Sequence, residues 1–260
     1  MTGGGYVPRW LVVPALAGLA FLLIPLASLI GRVEWGTLWA DVSSDAARSA
    51  LLLSVATGAA ATAVCAGVGI PLALLIARSS RRTAAVLRAL VTVPLVLPPM
   101  VGGVALLYLF GRSGWLGGLG LPFTTTAVVL AQVFVALPFL VLAVEGALRS
   151  TGVDFERAAA SLGASRGTIL RRVTLPLAAP GIVAGVVLCF ARAIGEFGAT
   201  ALFAGNRPGV TQTMPLAIYT AFNGGGVAEG TAVALALLLL VTAIAVLLLV
   251  RGWRPSAGAS

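Results

Sequence analysis

The sequence predicts an all-α integral membrane protein with six transmembrane helices. Hydrophobic residues make up 59% of the 260 positions and charged residues only 10%, while the mean hydropathy is +1.06. So few charges cannot cover the surface of a soluble domain of this length. Six apolar runs also reach the roughly 20 residues that a helix needs to cross a bilayer. We therefore expect a single transmembrane domain over residues 1–260.

The six predicted spans follow one another with short polar gaps between most of them. Residue 9 is the only arginine before the first run, and no small-residue cleavage site follows that run, so we expect a retained helix rather than a signal peptide. The spans cover approximately residues 10–30, 49–77, 84–110, 125–148, 178–204 and 231–250.

The arginines predict the orientation of the chain. All 17 basic residues are arginine, and they gather in alternate gaps, as the positive-inside rule requires of cytoplasmic segments. Twelve lie on one side and four on the other, with Arg192 inside a span. The twelve are residues 9, 78, 81, 82, 88, 149, 157, 166, 171, 172, 251 and 254, and the four are residues 32, 48, 112 and 207. We expect both termini and the segment 150–176 in the cytoplasm. Because these charges mark gaps rather than one basic face, we expect no nucleic-acid partner.

The third run is interrupted by three prolines, Pro94, Pro98 and Pro99. Proline removes a backbone donor and kinks a helix, so this span should be bent or broken inside the membrane. Irregular backbone at that depth must be buried in protein or line a water-filled cavity. Two interpretations stay open, a kink that improves helix packing and a role in a transport pathway. Pro138 predicts a similar bend in the fourth run.

The fifth run is expected to hold the only charges buried at the centre of the membrane, namely Arg192 and Glu196. Arg192, Glu196 and Thr200 are spaced by four residues, which would place them on one face of a helix and let the arginine and glutamate pair. Ionisable groups at this depth are costly and suggest either a transport pathway or a structural ion pair. Both alternatives remain open at this point.

The longest polar interval, residues 150–176, is called the polar loop below. Asp154 or Thr151 could cap a short helix that Gly163 closes. A second helical piece, residues 168–173, should end at Leu175 and Pro176. The polar loop is expected to dock onto a soluble protein, or alternatively to lie as an amphipathic segment on anionic lipid.

Several chemistries are excluded by composition. The chain has no histidine and two cysteines, both inside apolar runs, so we expect no metal site, no disulfide framework and no bound cofactor. A phosphate-binding glycine loop requires a lysine, which the chain lacks. We therefore expect a protein that is not an enzyme and cannot itself hydrolyse ATP.

The polar loop resembles the "EAA" loop of ABC importer permeases. The matching positions are Glu156, Ala158, Ala159 and Gly163, followed by the stretch from Val173 to Pro176. Many family members have the glutamate directly before the two alanines, whereas here Arg157 stands between them, and Val173 replaces an isoleucine. The resemblance implies a coupling helix that seats in a groove of a cytoplasmic ATPase subunit, with Leu175 and Pro176 closing the motif.

Four further blocks resemble the permeases of molybdate importers. They are VPLVLPPMVGG (93–103), AQVFVALPFL (131–140), ARAIGEFGATALFAGN (191–206) and TQTMPLAIYTAF (211–222). The resemblance implies the type I ABC importer permease fold and a homodimer in a bacterial or archaeal inner membrane. It also implies two ATPase subunits that carry the ATP and Mg, and an extracytoplasmic oxyanion-binding protein.

Three alternatives to a molybdate permease remain at this point. Permeases for tungstate and for sulfate or thiosulfate share parts of the same blocks. A self-contained anion channel or secondary transporter would instead be expected to show paired broken helices in two related halves. Pro138 is only a weak counterpart of the proline cluster in the third run, and no internal repeat is evident.

Overall fold

A computed structural model describes residues 8–224 and 229–252, and every regular element in that part of the chain is helical. The twelve α-helices are α1 (Val12–Gly31), α2 (Leu38–Ser43), α3 (Asp45–Arg78), α4 (Arg81–Val96), α5 (Pro99–Phe110), α6 (Thr125–Ser150), α7 (Asp154–Ser161), α8 (Arg166–Ile169), α9 (Leu175–Ile194), α10 (Gly198–Phe203), α11 (Met214–Phe222) and α12 (Glu229–Gly252). Short 3₁₀ turns precede α1 and α6, and a π-helical turn, Leu170–Thr174, joins α8 to α9.

Hydroxyl side chains start three of the long helices. Ser44, Ser80 and Thr124 each stand at an N-cap and accept the backbone N–H three residues on. Each hydroxyl thereby satisfies one of the donors that the first turn of a helix leaves free. These caps explain why α3 and α4 begin inside the polar gaps, ahead of the apolar runs that start at residues 49 and 84, and why α6 begins at residue 125.

Four helical stretches are long and apolar enough to cross a membrane: α1, α3, α6 and the continuous stretch Arg166–Ile194, while α4 and α5 together form a fifth, bent candidate. The predicted runs 49–77 and 125–148 lie inside α3 and α6. The sixth run lies within α12, whose apolar part is described over Gly230–Ala245. Arg254 and both termini, which are predicted to be cytoplasmic, lie outside the described residues.

Pro98 and Pro99 break the third span as expected, whereas Pro94 lies inside α4 and does not interrupt it. Helices α4 and α5 meet at an angle of 107°, with Leu97 ending α4 and Pro98 standing before α5. Pro99 occupies the first turn of α5, where a missing donor costs nothing. By contrast, α6 runs unbroken for 26 residues through Pro138, so that proline does not interrupt its helix.

The fifth span differs from the prediction at both ends. Helical structure continues from Arg166 through the π turn into α9, so Leu175 and Pro176 do not stop it. A proline inside a helix clashes with the carbonyl four residues earlier, and the wider π turn lies at that position. At the other end α9 stops at Ile194, and the run resumes as α10 only at Gly198.

The core lies among α3, α6 and α9, and it is built largely from small residues. Gly181 of α9 approaches Ala147 of α6 so closely that an added methyl group would lie 2.1 Å from the alanine methyl. Gly69 of α3 packs in the same way against Leu137 and Leu140. Small residues at helix crossings are the usual means of close packing in membranes. Helix α1 has no buried residue.

Candidate functional site

The polar loop folds into a short helix with a glycine end. Backbone N–H groups of Gly163 and Ala164 donate to the carbonyls of Ala160 and Ala159 at 3.0 and 3.1 Å. Gly163 has a φ of +83°, and its missing side chain would meet nothing within 4 Å. This glycine is therefore required by the left-handed backbone of a Schellman-type helix end and not by lack of space.

The predicted cap at the start of α7 is wrong. Val153 holds the N-cap position and makes no side-chain capping bond. The Thr151 hydroxyl donates instead to the Leu148 carbonyl at 3.1 Å, and the Asp154 carboxylate lies 3.7 Å from Arg157. Both polar side chains are thus engaged elsewhere. Asp154 and Glu156 in the first turn still stabilise the helix through its dipole.

Helix α7 has two different faces. Phe155 is 64% exposed and Leu162 is 88% exposed, and Ala158 is exposed between them. These positions are spaced by three and four residues and share one side of the helix. Ala159 is half-buried beside them. A short polar segment that presents large apolar side chains to solvent has the properties of an interaction surface.

The opposite face of α7 is fixed to the rest of the chain through Glu156. Its carboxylate pairs with Arg78, the last residue of α3. The same carboxylate accepts a 2.8 Å hydrogen bond from the Thr174 hydroxyl in the π turn. Leu175 is half-buried and Pro176 exposed just beyond this contact. One side chain therefore joins α7 to two membrane-spanning helices.

A second charge cluster lies where α4 meets α6, and it was not predicted from the sequence. Glu145 is only 3% exposed. It accepts hydrogen bonds from the Nε of Arg88 at 3.1 Å and from the Nε of Arg149 at 2.7 Å. The expectation that Arg192 and Glu196 are the sole buried charges is therefore wrong. Glu145 within the fourth apolar run and Arg88 within the third were the available signals.

The predicted Arg192–Glu196 ion pair is present, with 2.8 Å between Nη2 and Oε2. The guanidinium carbon of Arg192 also lies 5.9 Å from the ring centroid of Phe139, a distance that suits a cation–π contact. The other carboxylate oxygen of Glu196 accepts the backbone N–H of Ala199 at 2.8 Å. Glu196 therefore connects the end of α9 to the beginning of α10.

The three residues do not share one helix face, because α9 ends before Glu196. Thr200 lies on the separate helix α10 and is fully buried. Its hydroxyl has no hydrogen-bond partner among the described residues, and the same holds for the side-chain amide of Gln132 in α6.

The breaks in the third and fifth spans touch each other. A methyl group added to Gly198 would lie 3.1 Å from both the Pro99 Cβ and the Met100 backbone nitrogen. One added to Gly103 would lie 2.9 Å from the Ala199 Cα and carbonyl oxygen. The Pro98–Pro99 interruption and the Glu196 interruption thus form one junction, with α5 packed on α10. Pro94 lies within α4, ahead of this junction.

Comparison with known proteins identifies the family. Residues 69–255 match the family described as "Binding-protein-dependent transport system inner membrane component". The chain belongs to this family. The matched range includes the polar loop, both helix breaks and the Glu145 cluster, so these features lie within the transport component itself.

Relatives of this permease carry names that specify a cargo. The "Molybdenum transport system permease protein ModB" of Mycobacterium tuberculosis is 51% identical over 255 residues, which are 96% of each chain. A "Probable molybdenum ABC transporter permease protein" of Haloferax volcanii is 42% identical over 92% of this chain and 89% of its own. The ModB protein of Escherichia coli K12 is 39% identical over 74% of this chain and 86% of its own.

Solved structures of ABC importers share the fold of this permease. A bacterial transporter involved in the import of the polysaccharide alginate matches with a TM-score of 0.72 at 16% identity, covering 93% of this chain and 92% of that chain. An inward-facing structure of the MetNI methionine transporter matches with a TM-score of 0.61 at 21% identity, covering 80% and 98%. The permease therefore has the all-α type I ABC importer fold.

Proposed function

We propose that this chain is the pore-forming permease subunit of an ATP-driven molybdate importer. The observation that carries the proposal is the 51% identity, over 96% of both chains, to a permease named for molybdenum transport. The family match favours an importer subunit over a self-contained channel or secondary transporter. Tungstate and sulfate or thiosulfate are the competing cargoes, because all of these anions are tetrahedral and carry the same charge.

The proposed assembly contains a second copy of this chain, two cytoplasmic ATP-binding subunits and an extracytoplasmic oxyanion-binding protein. ATP and Mg belong to the ATP-binding subunits, since this chain has no lysine for a phosphate-binding loop. Apolar faces on α1 and on the α4–α5 pair support contact with lipid and with a second copy. Examples are Phe21 at 77%, Val96 at 84% and Tyr108 at 79% exposure.

The permease is proposed to lie in a bacterial or archaeal inner membrane with both termini and the polar loop in the cytoplasm. Arginine bias supports this orientation. In it, the exposed face formed by Phe155, Ala158 and Leu162 points toward the ATP-binding subunit. Gly163 ends α7 beside that face. Glu156 contributes by fixing the helix from behind rather than by touching the partner.

A continuous set of contacts supports coupling between that face and the centre of the chain. Movement of α7 would act through Glu156 on Arg78 of α3 and on Thr174 in the π turn. Helix α9 carries the movement to the Arg192–Glu196 pair, and Glu196 passes it to α10. Helix α10 lies against the broken third span at Gly103 and Pro99. Both helix breaks therefore respond to one docking helix.

Changing Phe155→Glu or Leu162→Glu tests the docking face. Burying a carboxylate in a partner's groove is costly, so we expect ATP-driven molybdate uptake to fall by about tenfold or more. The amount of chain in the membrane should not change. Trp115→Glu is the matched control, because Trp115 is 95% exposed in a different loop. Normal uptake by both α7 variants would refute docking through this face.

The cargo is tested by uptake of radiolabelled molybdate in cells that lack their own molybdate permease. The cells would express this chain with its cognate ATP-binding subunit and binding protein. We expect uptake that unlabelled molybdate abolishes and that sulfate leaves largely unchanged. Stronger competition by sulfate or tungstate than by molybdate would assign the importer to that anion instead.

A further inference from the structure

A groove of 560 Å³ lies behind α7, on the side opposite the proposed docking face. It is called the polar-loop groove here. Its walls come from the end of α3, from α7 and from the turns that lead into α9, and its main lining residues are Leu74, Arg78, Glu156, Arg157, Arg166 and Ile169. Neither the resemblance nor the family match assigns a ligand to this space.

The groove carries more positive than negative charge. Its lining contains three arginines and one glutamate. Arg78 and Thr174 already satisfy that glutamate, Glu156. Arg157 lies 3.7 Å from Asp154, but their side chains are 76% and 93% exposed, so this contact is weak. Arg166 forms no ion pair with any residue in the described part of the chain. Arg157 and Arg166 can therefore accept an external anion.

The remaining walls are apolar. Leu74, Ile169 and Leu170 face the cavity, and Leu170 is 37% exposed. Leu74 belongs to the last turn of α3, whereas Ile169 and Leu170 belong to the first turns of the stretch Arg166–Ile194. Two membrane-spanning segments thus reach their polar ends beside the groove. That is the level at which headgroups meet hydrocarbon.

We infer that the polar-loop groove binds an anionic phospholipid of the cytoplasmic leaflet. Its phosphodiester would contact Arg157 and Arg166, and the upper part of an acyl chain would lie along Leu74 and Ile169. Basic pockets between transmembrane helices on the cytoplasmic side are suited to anionic headgroups. A soluble phosphate would leave the apolar wall in water, and a zwitterionic lipid would compensate the two arginines less fully. The positive charge and the apolar lining of the groove together favour an anionic phospholipid over a soluble anion and over a zwitterionic lipid.

The lipid would join the same elements that Glu156 joins, namely α3, α7 and the start of the fifth span. It would therefore hold α7 against the membrane while leaving Phe155 and Leu162 free. An effect on transport follows only if α7 is the coupling helix, so this part rests on the proposed function. Binding itself does not depend on that assignment.

Native mass spectrometry of the full-length chain with phosphatidylglycerol tests the inference. We expect one retained lipid per chain. The affinity for phosphatidylglycerol should drop about fivefold in each of the single variants Arg157→Gln and Arg166→Gln. Ala160→Trp should abolish retention, because it fills the groove without altering its charge. Arg172→Gln is the matched control, since Arg172 is exposed on the π turn outside the groove, and it should retain lipid normally.

Four results would overturn the inference. An equal loss in Arg172→Gln would indicate general attraction to the basic surface. Equal retention of phosphatidylcholine would remove the charge argument. Displacement of the lipid by inorganic phosphate would indicate a site for a soluble anion. Displacement by the purified cognate ATP-binding subunit would assign the groove to that protein. Loss of lipid binding with unchanged molybdate uptake would refute only the effect on transport.

Discussion

Glu196 is 1% exposed and uses both carboxylate oxygens, one on Arg192 and one on the Ala199 backbone. A buried charge that loses its partner costs about 3–5 kcal/mol, whereas removing both charges together often costs little. Comparing the loss of one charge with the loss of both therefore distinguishes a structural ion pair from a role in the transport pathway, the two interpretations that the sequence left open.

If the pair serves mainly to hold α9 and α10 together, Arg192→Met alone should damage the permease more than Arg192→Met combined with Glu196→Gln. The single change leaves a buried carboxylate with only the Ala199 N–H. We expect the double variant to recover stability by about 1–3 kcal/mol and to recover uptake as well. The measurements are thermal unfolding in detergent and molybdate uptake.

Arg192→Lys, which keeps the charge, is the control for that cycle. A double variant that is stable but unable to transport would contradict a purely structural pair. Arg192 would then be assigned to the anion pathway.

Glu145 is the second residue whose charge is enclosed. Replacing Arg88 with Met removes one of its two partners and leaves Arg149, whose side chain is 47% exposed. We expect the free energy of unfolding in mixed micelles to fall by about 2 kcal/mol. Arg88 belongs to the first half of the broken third span, so the change should loosen α4 from α6.

Arg82→Met is the matched control for Arg88, because Arg82 is exposed six residues earlier in α4 and lies in the same polar gap. Its effect should stay within about 0.5 kcal/mol. Equal effects of the two changes would show that Glu145 gains nothing specific from Arg88.

Among residue pairs, the Arg192–Glu196 contact was predicted, the equally spaced Glu145–Arg149 contact was missed, and the distant pairs were not predictable. Four-residue spacing announced the Arg192–Glu196 contact. Arg88 lies 57 positions from Glu145 and Arg78 lies 78 positions from Glu156. Only the packing of α4 on α6 and the position of α7 at the end of α3 bring these pairs together. The polar residues near the ends of the spans indicated that charged contacts form there. Their spacing in the sequence did not indicate which residues pair with each other.

Glycines at helix crossings decide how closely the elements pack. Gly103→Ala would place a methyl group 2.9 Å from the backbone of Ala199. Backbone atoms cannot move aside as a side chain can, so α5 and α10 must separate. We expect a loss of about 1–3 kcal/mol in unfolding free energy together with reduced uptake.

Gly146→Ala in α6 serves as the comparison for Gly103. A methyl group there meets nothing within 4 Å, and alanine favours the helix by about 0.5–1 kcal/mol. The two substitutions should therefore have opposite signs. Destabilisation by both would indicate that the loss at residue 103 does not come from contact with α10.

Among the elements, the sequence predicted breaks caused by proline and missed a break without one. Pro98 and Pro99 predicted the interruption that the structure shows as a 107° bend, because proline lacks a backbone N–H donor. Residues 195–197 contain no proline, and the predicted fifth run continues through them into α10. The interruption there depends on tertiary packing of Gly198 against Pro99. Conversely, Pro176 was predicted to end the helical piece before it, yet the π turn lets the helix continue through this proline.

For the whole molecule, orientation in the membrane is the main prediction to test. Ser113→Cys lies in the exposed loop before α6, and Ser165→Cys lies in the polar loop. An impermeant maleimide should label residue 113 in intact spheroplasts and residue 165 only after permeabilisation. The native Cys65 and Cys189 are fully buried, so the parent chain should remain unlabelled. The reverse pattern would invert the proposed topology.

Fold class was predictable at this scale because it follows from bulk properties. Apolar runs of sufficient length admit little besides membrane-spanning helices. The packing of the helices was not predictable. Crossings between alanine and glycine, such as Gly181 on Ala147, give no periodic hydrophobic pattern in a chain that is apolar almost throughout. The resemblance in the polar loop supplied the type of permease, which composition alone could not.

The π turn at Leu170–Thr174 limits which insertions and deletions the gene can tolerate. A π turn contains one residue more than the α-helical path through the same space. Deleting a single codon there would leave helix on both sides but rotate everything before it by about 100° around the axis of α9. Thr174 would then no longer face Glu156. Insertions and deletions of one residue in this turn should therefore be rarer among functional permeases than those in exposed loops, which generally tolerate them.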